Sequence, residues 1–133
     1  MIPENVQNVL TTGVGHIGTA SQDNRPFHAD LLGINSDKKT GVVSCFLNKK
    51  ASLKFLDHVE KTRRISLFVG VISHEAYNLK GRLDALGRTS SVEKEICQKF
   101  SVNILELYSQ MGMDKNLAKK FWGMEPDVSL TFS

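Results

Sequence analysis

The sequence predicts a mainly β fold, an antiparallel barrel with a few appended helices. Short segments with strand patterning follow one another in runs joined mostly by short turns, and helices stand at three interruptions. The clearest signal is the strict alternation of apolar residues over 64–72 and again over 76–86, which predicts a hairpin. A doubly wound fold would need regular alternation of strands and helices, so the sequence excludes that architecture.

Helical spacing of apolar residues defines four predicted helices. Pro3 suits the first position of a short amphipathic helix over residues 3–11, and a helix of about three turns begins near Ser52. Ser90 and Glu93 form a capping box that begins the longest helix, which continues to residue 112. A further short helix that contains Trp122 is predicted between residues 114 and 126.

Six strands are predicted in all, over 14–21, 27–34, 42–47, 64–72, 76–86 and 128–132. Polar turns at 22–25 and 36–41 separate the first three. Gly81 lies in the middle of a predicted strand, where a glycine indicates a bulge or a close approach of another part of the backbone.

Composition bounds the class of protein. The chain has 133 residues, 41% of them hydrophobic, which fits one globular domain over 1–133. Its net charge of +3 is too small and too dispersed to indicate nucleic acid, and no stretch is long and apolar enough for a membrane span. Cys45 and Cys97 form no CxxC pair and lie in apolar patterns, which predicts reduced core thiols and a cytoplasmic location. The N-terminus lacks the pattern of a signal peptide.

Several familiar motifs are absent or out of context. Gly13, Gly15 and Gly18 spell GxGxxG, but a helix precedes them and an extended segment follows, the reverse of a dinucleotide-binding turn. The four histidines have no metal-ligand spacing, so no metal site is predicted. The sequence contains no GxSxG motif and no P-loop, and hydrolase chemistry therefore has no support.

The stretch 48–54 places three lysines where a strand ends and a helix begins. The exposed amides of a helix start carry partial positive charge, so lysine is unfavourable there by a few tenths of a kcal/mol each. A bound phosphate would reverse that balance, with Lys49, Lys50 and Lys54 around it and the Ser52 hydroxyl between them. The alternative interpretation is a solvated run of charge.

The order and spacing of several segments resemble the pyridoxamine 5'-phosphate oxidase-like, FMN-binding split-barrel family. The segments are Pro26 after a polar turn, the strand 27–34, the Ser52-Leu53-Lys54 helix start, the strand 64–68 and the strand 77–82. The resemblance covers residues 3–88. It implies a six-stranded antiparallel Greek-key split β-barrel with a few peripheral α-helices, and a homodimer with FMN at the subunit interface.

The resemblance also implies which residues bind the cofactor. The phosphate contacts fall on Ser52 and Lys54, and the strand along the isoalloxazine ring falls on His28, Ala29, Asp30 and Leu31. Phe46, Leu47 and Asn48, at the end of the preceding strand, would face the flavin. Trp122 is the candidate for covering the ring from the partner subunit, and otherwise it anchors a helix in the core.

The departures from the family pattern exclude one activity. The arginine that the oxidase carries after its proline is replaced here by His28 or Ala29, and its arginine-containing C-terminal tail has no counterpart in residues 128–133. The resemblance therefore implies a small FMN-dependent oxidoreductase with a small-molecule electron donor or acceptor, and not a vitamin B6 oxidase. The alternatives are a non-catalytic flavin carrier, or haem or a deazaflavin in place of FMN. A histidine at position 16 or 28 that faces an open cavity would favour haem.

Overall fold

The computed structural model describes residues 2–71, 73–114, 116 and 125–133. In these residues the α-helices are α1 (Glu4–Thr12), α2 (Leu53–Thr62) and α3 (Ser91–Gln110), and a 3₁₀ turn, Lys50–Ser52, directly precedes α2. The strands are β1 (Val14–Ala20), β2 (Pro26–Asp30), β3 (Gly33–Ser36), β4 (Val43–Leu47), β5 (Arg64–Gly70), β6 (Ala76–Arg88) and β7 (Val128–Phe132). The prediction of a mainly β, antiparallel fold is confirmed.

The strands form a sheet in the order β2-β1-β5-β6-β7-β4-β3, and every neighbouring pair is antiparallel. The first part of β6 pairs with β5 and its last part pairs with β7, and a shift of register between Leu83 and Ala85 separates the two parts. Such a bulge bends a strand and increases its twist. The long strand β6 is therefore the bend at which the two halves of the sheet meet.

The prediction of six strands is wrong by one, because the predicted strand 27–34 is two strands. β2 pairs with β1 at one edge of the sheet and β3 pairs with β4 at the other, and the chain passes between them through Leu31 and Leu32. The Leu32 amide donates to the carbonyl of Phe46 at 2.8 Å and so marks the crossing. Three virtual bonds from Asp30 to Gly33 span at most about 11 Å. The sheet must therefore curl until its two edges are close, although no ladder joins β2 to β3 in the described chain.

The core lies inside this curl. Alternate residues of β5 are buried, as the sequence pattern predicts, and they meet buried residues of β4 and β7 together with one face of each of α2 and α3. The two cysteines are buried free thiols, and burial raises the pKa of Cys97 to about 12 and that of Cys45 further. The prediction of reduced core thiols is confirmed.

Three local predictions can be compared with the structure. The hairpin of β5 and β6 is present, and its turn holds His74 in the left-handed region at φ 71°. Gly81 marks a close approach, since an added Cβ would lie 2.5 Å from the carbonyl oxygen of Ser133, and the bulge itself lies two residues further along. The capping box of Ser90 and Glu93 is formed.

No helix in the described part of the chain is long and apolar enough to cross a membrane.

Candidate functional site

Strand β2 and the start of α2 lie side by side, which is the arrangement that the predicted phosphate and ring contacts require. β2 packs against both the 3₁₀ turn and α2. The rings of Phe27 on β2 and His58 on α2 are stacked, with centroids 4.1 Å apart and an angle of 21° between their planes. Lys54 precedes His58 by four residues and so projects from the same side of the helix. The structure therefore places Lys54 on the side of α2 that faces β2.

Ser52 is the N-cap residue of α2. The helix begins at Leu53, so Ser52 precedes the first turn and its hydroxyl is not committed to the apolar stripe of the helix. The side chain is only 4% exposed, yet it makes no capping hydrogen bond with the helix. Serine at this position usually accepts a bond from the second or third amide of the helix. This serine is therefore available for a different partner.

The lysines of the stretch 48–54 are exposed. The first turn of α2 contains no acidic residue, and none of Lys49, Lys50 and Lys54 forms an ion pair with a described residue. Their charges add to the positive end of the helix, and no carboxylate in its first turn compensates them. The electrostatic mismatch that the sequence predicts is present in the structure.

The backbone of the same turn is already occupied in part. The Lys49 amide donates to Oδ1 of Asp127 at 2.6 Å, and the Ala51 amide donates to Oδ1 of Asn48 at 3.0 Å. The Ser52 amide donates to the carbonyl of Lys49. Asn48 also donates to the carbonyl of Glu125 at 2.9 Å. A phosphate at this turn would therefore be held by side chains more than by these amides, and Asn48 serves to tie the turn to residues 125–127.

The predicted ring contacts divide between the core and the surface. Ala29 and Leu31 are buried, while His28 and Asp30 are exposed on the outer side of β2. Phe46 and Leu47 are fully buried, so neither residue has exposed surface to offer a bound molecule, and the structure does not place them as predicted contacts of the flavin. Trp122 lies outside the described residues.

A small group of side chains lies on the outer face of β1 and β2. It consists of His16, His28 and Asp30, and the sequence did not predict that they lie together. Nδ1 of His16 is 3.7 Å from Oδ1 of Asp30, and the His16 and His28 rings are edge to face at 6.3 Å. His16 also lines a cavity of about 390 Å³ between the sheet and α3. No group of three or more possible metal ligands occurs among the described residues.

Two contacts at the site could not be found by motif searching. The stacking of Phe27 on His58 and the bond from Lys49 to Asp127 join residues that are distant in sequence. The only sequence signal was the spacing of four between Lys54 and His58, which places both on one side of a helix.

No protein-family profile matches the sequence, and a search among curated proteins finds no match. Among solved structures, the crystal structure of a pyridoxamine 5'-phosphate oxidase-related, FMN binding protein from Nostoc punctiforme PCC 73102 is similar to this chain, with a TM-score of 0.49 and 11% sequence identity. The alignment covers 96% of this chain and 73% of that chain.

Proposed function

We propose that this protein is a split-barrel flavoprotein that binds FMN between β2 and the start of α2. One observation supports this more than any other: an edge strand lies directly beside a helix start whose lysines form no ion pair with a described residue and whose serine makes no capping bond. In this proposal Ser52 and Lys54 hold the phosphate, and Lys49 and Lys50 add attraction at longer range.

The residues present fit a phosphate. The buried Ser52 hydroxyl and the Lys54 ammonium group supply a neutral and a charged donor, and the positive end of α2 favours an anion. Asp127 opposes the binding of a phosphate, since its carboxylate accepts a hydrogen bond from the Lys49 amide. Asp57 and Glu60 of α2 line one cavity with Lys49 and Asp127, so carboxylates partly offset the lysines on that side of the turn.

The edge position of β2 suits the ring. β2 pairs with β1 on one side only in the described chain, so its other side presents backbone amide and carbonyl groups without ladder partners. The pyrimidine portion of a flavin carries both donors and acceptors along one edge. Hydrogen bonds from the backbone at residues 28–31 would fix the ring there, even though the Ala29 and Leu31 side chains point into the core.

Bound FMN would supply hydride or single-electron transfer, and the protein would fix the phosphate, orient the ring and control access to it. We propose a small FMN-dependent oxidoreductase with a small-molecule electron donor or acceptor. Since β2 has a ladder partner on one side only in the described chain, we propose that a second copy of the chain supplies the other wall of the site, as a homodimer.

Haem is the second candidate, because His16 lines a cavity and its Nδ1 faces Asp30. A carboxylate in that position is typical of a histidine that ligates a metal through its other nitrogen. However, no lysine or arginine lines the described walls of the cavity to pair with the two haem propionates. The lysines lie at the other candidate site, and we therefore prefer FMN.

The visible spectrum of the purified protein tests the choice of cofactor. Bands near those of free flavin, in the protein as isolated or after FMN is added and excess removed, are the expected result. A Soret band would show haem. A single visible band at shorter wavelength than that of flavin, from a chromophore whose reduced form is not reoxidised by air, would indicate a deazaflavin. Protein that takes up no FMN would contradict the proposal.

The phosphate contacts can be tested by comparing two ligands. The variant Ser52→Ala/Lys54→Ala should bind FMN about tenfold to a hundredfold more weakly, because it loses hydrogen bonds to a charged group. Riboflavin lacks the phosphate, so its affinity should change little. Lys99→Ala, an exposed lysine on α3, is the matched control. Equal losses for both ligands would contradict the assignment.

Turnover separates an enzyme from a carrier. Bound FMN would be reduced with nicotinamide cofactors, and small oxidants would then be screened for reoxidation faster than in free solution. Catalytic turnover with any pair supports the oxidoreductase. Reduction and reoxidation no faster than for free FMN would favour a non-catalytic flavin carrier.

A further inference from the structure

The cavity beside His16 lies between a wall of sheet and a wall of helix. β1 and β5 supply one side, and the last turns of α3 supply the other. Its volume of about 390 Å³ falls in the range of small-molecule sites. The apolar side chains of the lining are Val14, Phe68, Val71, Ile104, Leu107 and Met111.

Two of these apolar residues are unusually exposed. Phe68 is 50% exposed and Met111 is 66% exposed, although both belong to the wall of a concave site. Large exposed apolar side chains that cluster in this way mark a surface that another molecule covers. Phe68 offers a flat aromatic face, and the flexible thioether of Met111 can adapt to a ligand on the opposite wall.

Three polar side chains, His16, His74 and Tyr108, also line the cavity. Burial, together with the nearby Asp30 carboxylate, raises the pKa of Tyr108. No lysine or arginine is among the described lining residues, and Asp30 lies 3.7 Å from His16. An anionic ligand would therefore meet no fixed positive charge and one nearby negative charge.

We propose that this cavity is a second ligand site, separate from the flavin site, for small, planar, uncharged aromatic molecules that carry a carbonyl group. The ring lies between Phe68 and the helix wall, and the carbonyl oxygen accepts a hydrogen bond from the ring of His16, the residue paired with Phe68 across β1 and β5. The described lining contains neither the proposed phosphate contacts nor residues 28–31, although His16 lies 3.7 Å from Asp30, so the cavity adjoins the proposed flavin site without sharing its residues.

Amide NMR shifts during a titration with coumarin test the proposal, with coumarin-3-carboxylate as the charged analogue. Coumarin should give saturable shifts confined to residues 14–16, 68–71 and 104–111. The carboxylate should bind about tenfold more weakly, since it is desolvated without a partner charge. Phe68→Ser should lower the affinity for coumarin about tenfold. Val102→Ser replaces an apolar residue of α3 that is similarly exposed, at 65%, and outside the lining, so it should have no effect.

His16→Ala keeps the apolar walls, so it provides a second variant if Phe68→Ser does not fold. This substitution should lower the affinity for coumarin severalfold. The proposal is overturned by the absence of saturable shifts, by equal affinity for the carboxylate, or by equal effects of Phe68→Ser and Val102→Ser. Displacement of coumarin by FMN would also overturn it, because the cavity would then be part of the flavin site. A protein that binds coumarin as described but takes up no FMN would refute only the flavin proposal.

Discussion

Helices α2 and α3 start in opposite ways. At α3 the Ser90 hydroxyl accepts from the Glu93 amide at 3.2 Å, and Oε1 of Glu93 accepts from the Ser90 amide at 2.9 Å. Oε2 of the same glutamate accepts from the hydroxyl of Ser129 on β7 at 3.0 Å. At α2 the serine forms no capping bond and the first turn has no acidic residue. The amides at the start of α3 are satisfied by its own serine and glutamate, whereas those of the turn before α2 are satisfied by Asn48 and Asp127 from outside the helix.

This difference between the two helix starts bears on the proposed role of α2 in binding an anion. A capping serine and an acidic residue in the first turn together stabilise a helix by about 1–2 kcal/mol. The α2 start has neither of these within the helix, its amides being satisfied by Asn48 and Asp127 instead, and it places lysines beside an edge strand. Local stability does not explain the lysines, whereas the phosphate of the proposed function would be favoured by them. Three predictions test the contrast.

The largest expected effect concerns the core and should be the same for both helices. Phe55 of α2 is 1% exposed and Phe100 of α3 is 5% exposed. Replacing either by alanine should lower the free energy of unfolding by about 3–5 kcal/mol, through lost burial and the cavity left behind. Urea unfolding measures both. A much smaller loss for Phe55→Ala would mean that α2 is loosely anchored, and the contrast would then extend beyond the helix starts.

A smaller effect should separate the two N-cap serines. Ser90→Ala removes a formed capping box and should cost about 1 kcal/mol. Ser52→Ala removes no capping bond and should cost less than about 0.5 kcal/mol in the absence of ligand. The same urea titrations give both values. Equal losses would show that Ser52 has a structural partner after all.

The smallest effect has the opposite sign. Lys50→Glu should raise the free energy of unfolding by about 0.5 kcal/mol at low ionic strength, because it removes repulsion from the helix end and from Lys54. The gain should disappear in 1 M salt, where such charges are screened. The same substitution should lower the affinity of the protein for FMN. A loss of stability at low salt would contradict the electrostatic interpretation of the α2 start.

Local patterns predicted most of the fold. The β5–β6 hairpin, the Ser90 capping box and the last strand follow from alternation, helical spacing and turn residues, and all three are present. The division of residues 27–34 was not predictable, because Leu31 and Leu32 continue an apolar run while the chain crosses between the two edges of the sheet. Such a crossing is fixed by strand pairing, which no local pattern records.

The candidate site was predictable in part. The strand 28–31 and the helix start were expected to lie together, and they do. The contact that occupies the Lys49 amide comes from Asp127, far along the chain, and the burial of Phe46 depends on the whole sheet. These features are tertiary, so a sequence pattern could name the residues of the turn but not their partners.

The shared strand β6 has a consequence for the order of folding. Its first part pairs with β5 across a tight turn, whereas its last part pairs with β7, with all of α3 between them in sequence. Short-range pairings generally form before long-range ones. The backbone amides of this one strand should thus become protected from hydrogen exchange in two stages, and the bulge after Leu83 should divide the two groups of amides. Pulse-labelled hydrogen exchange would resolve them, and simultaneous protection along all of β6 would show that the two halves of the sheet form as a single nucleus.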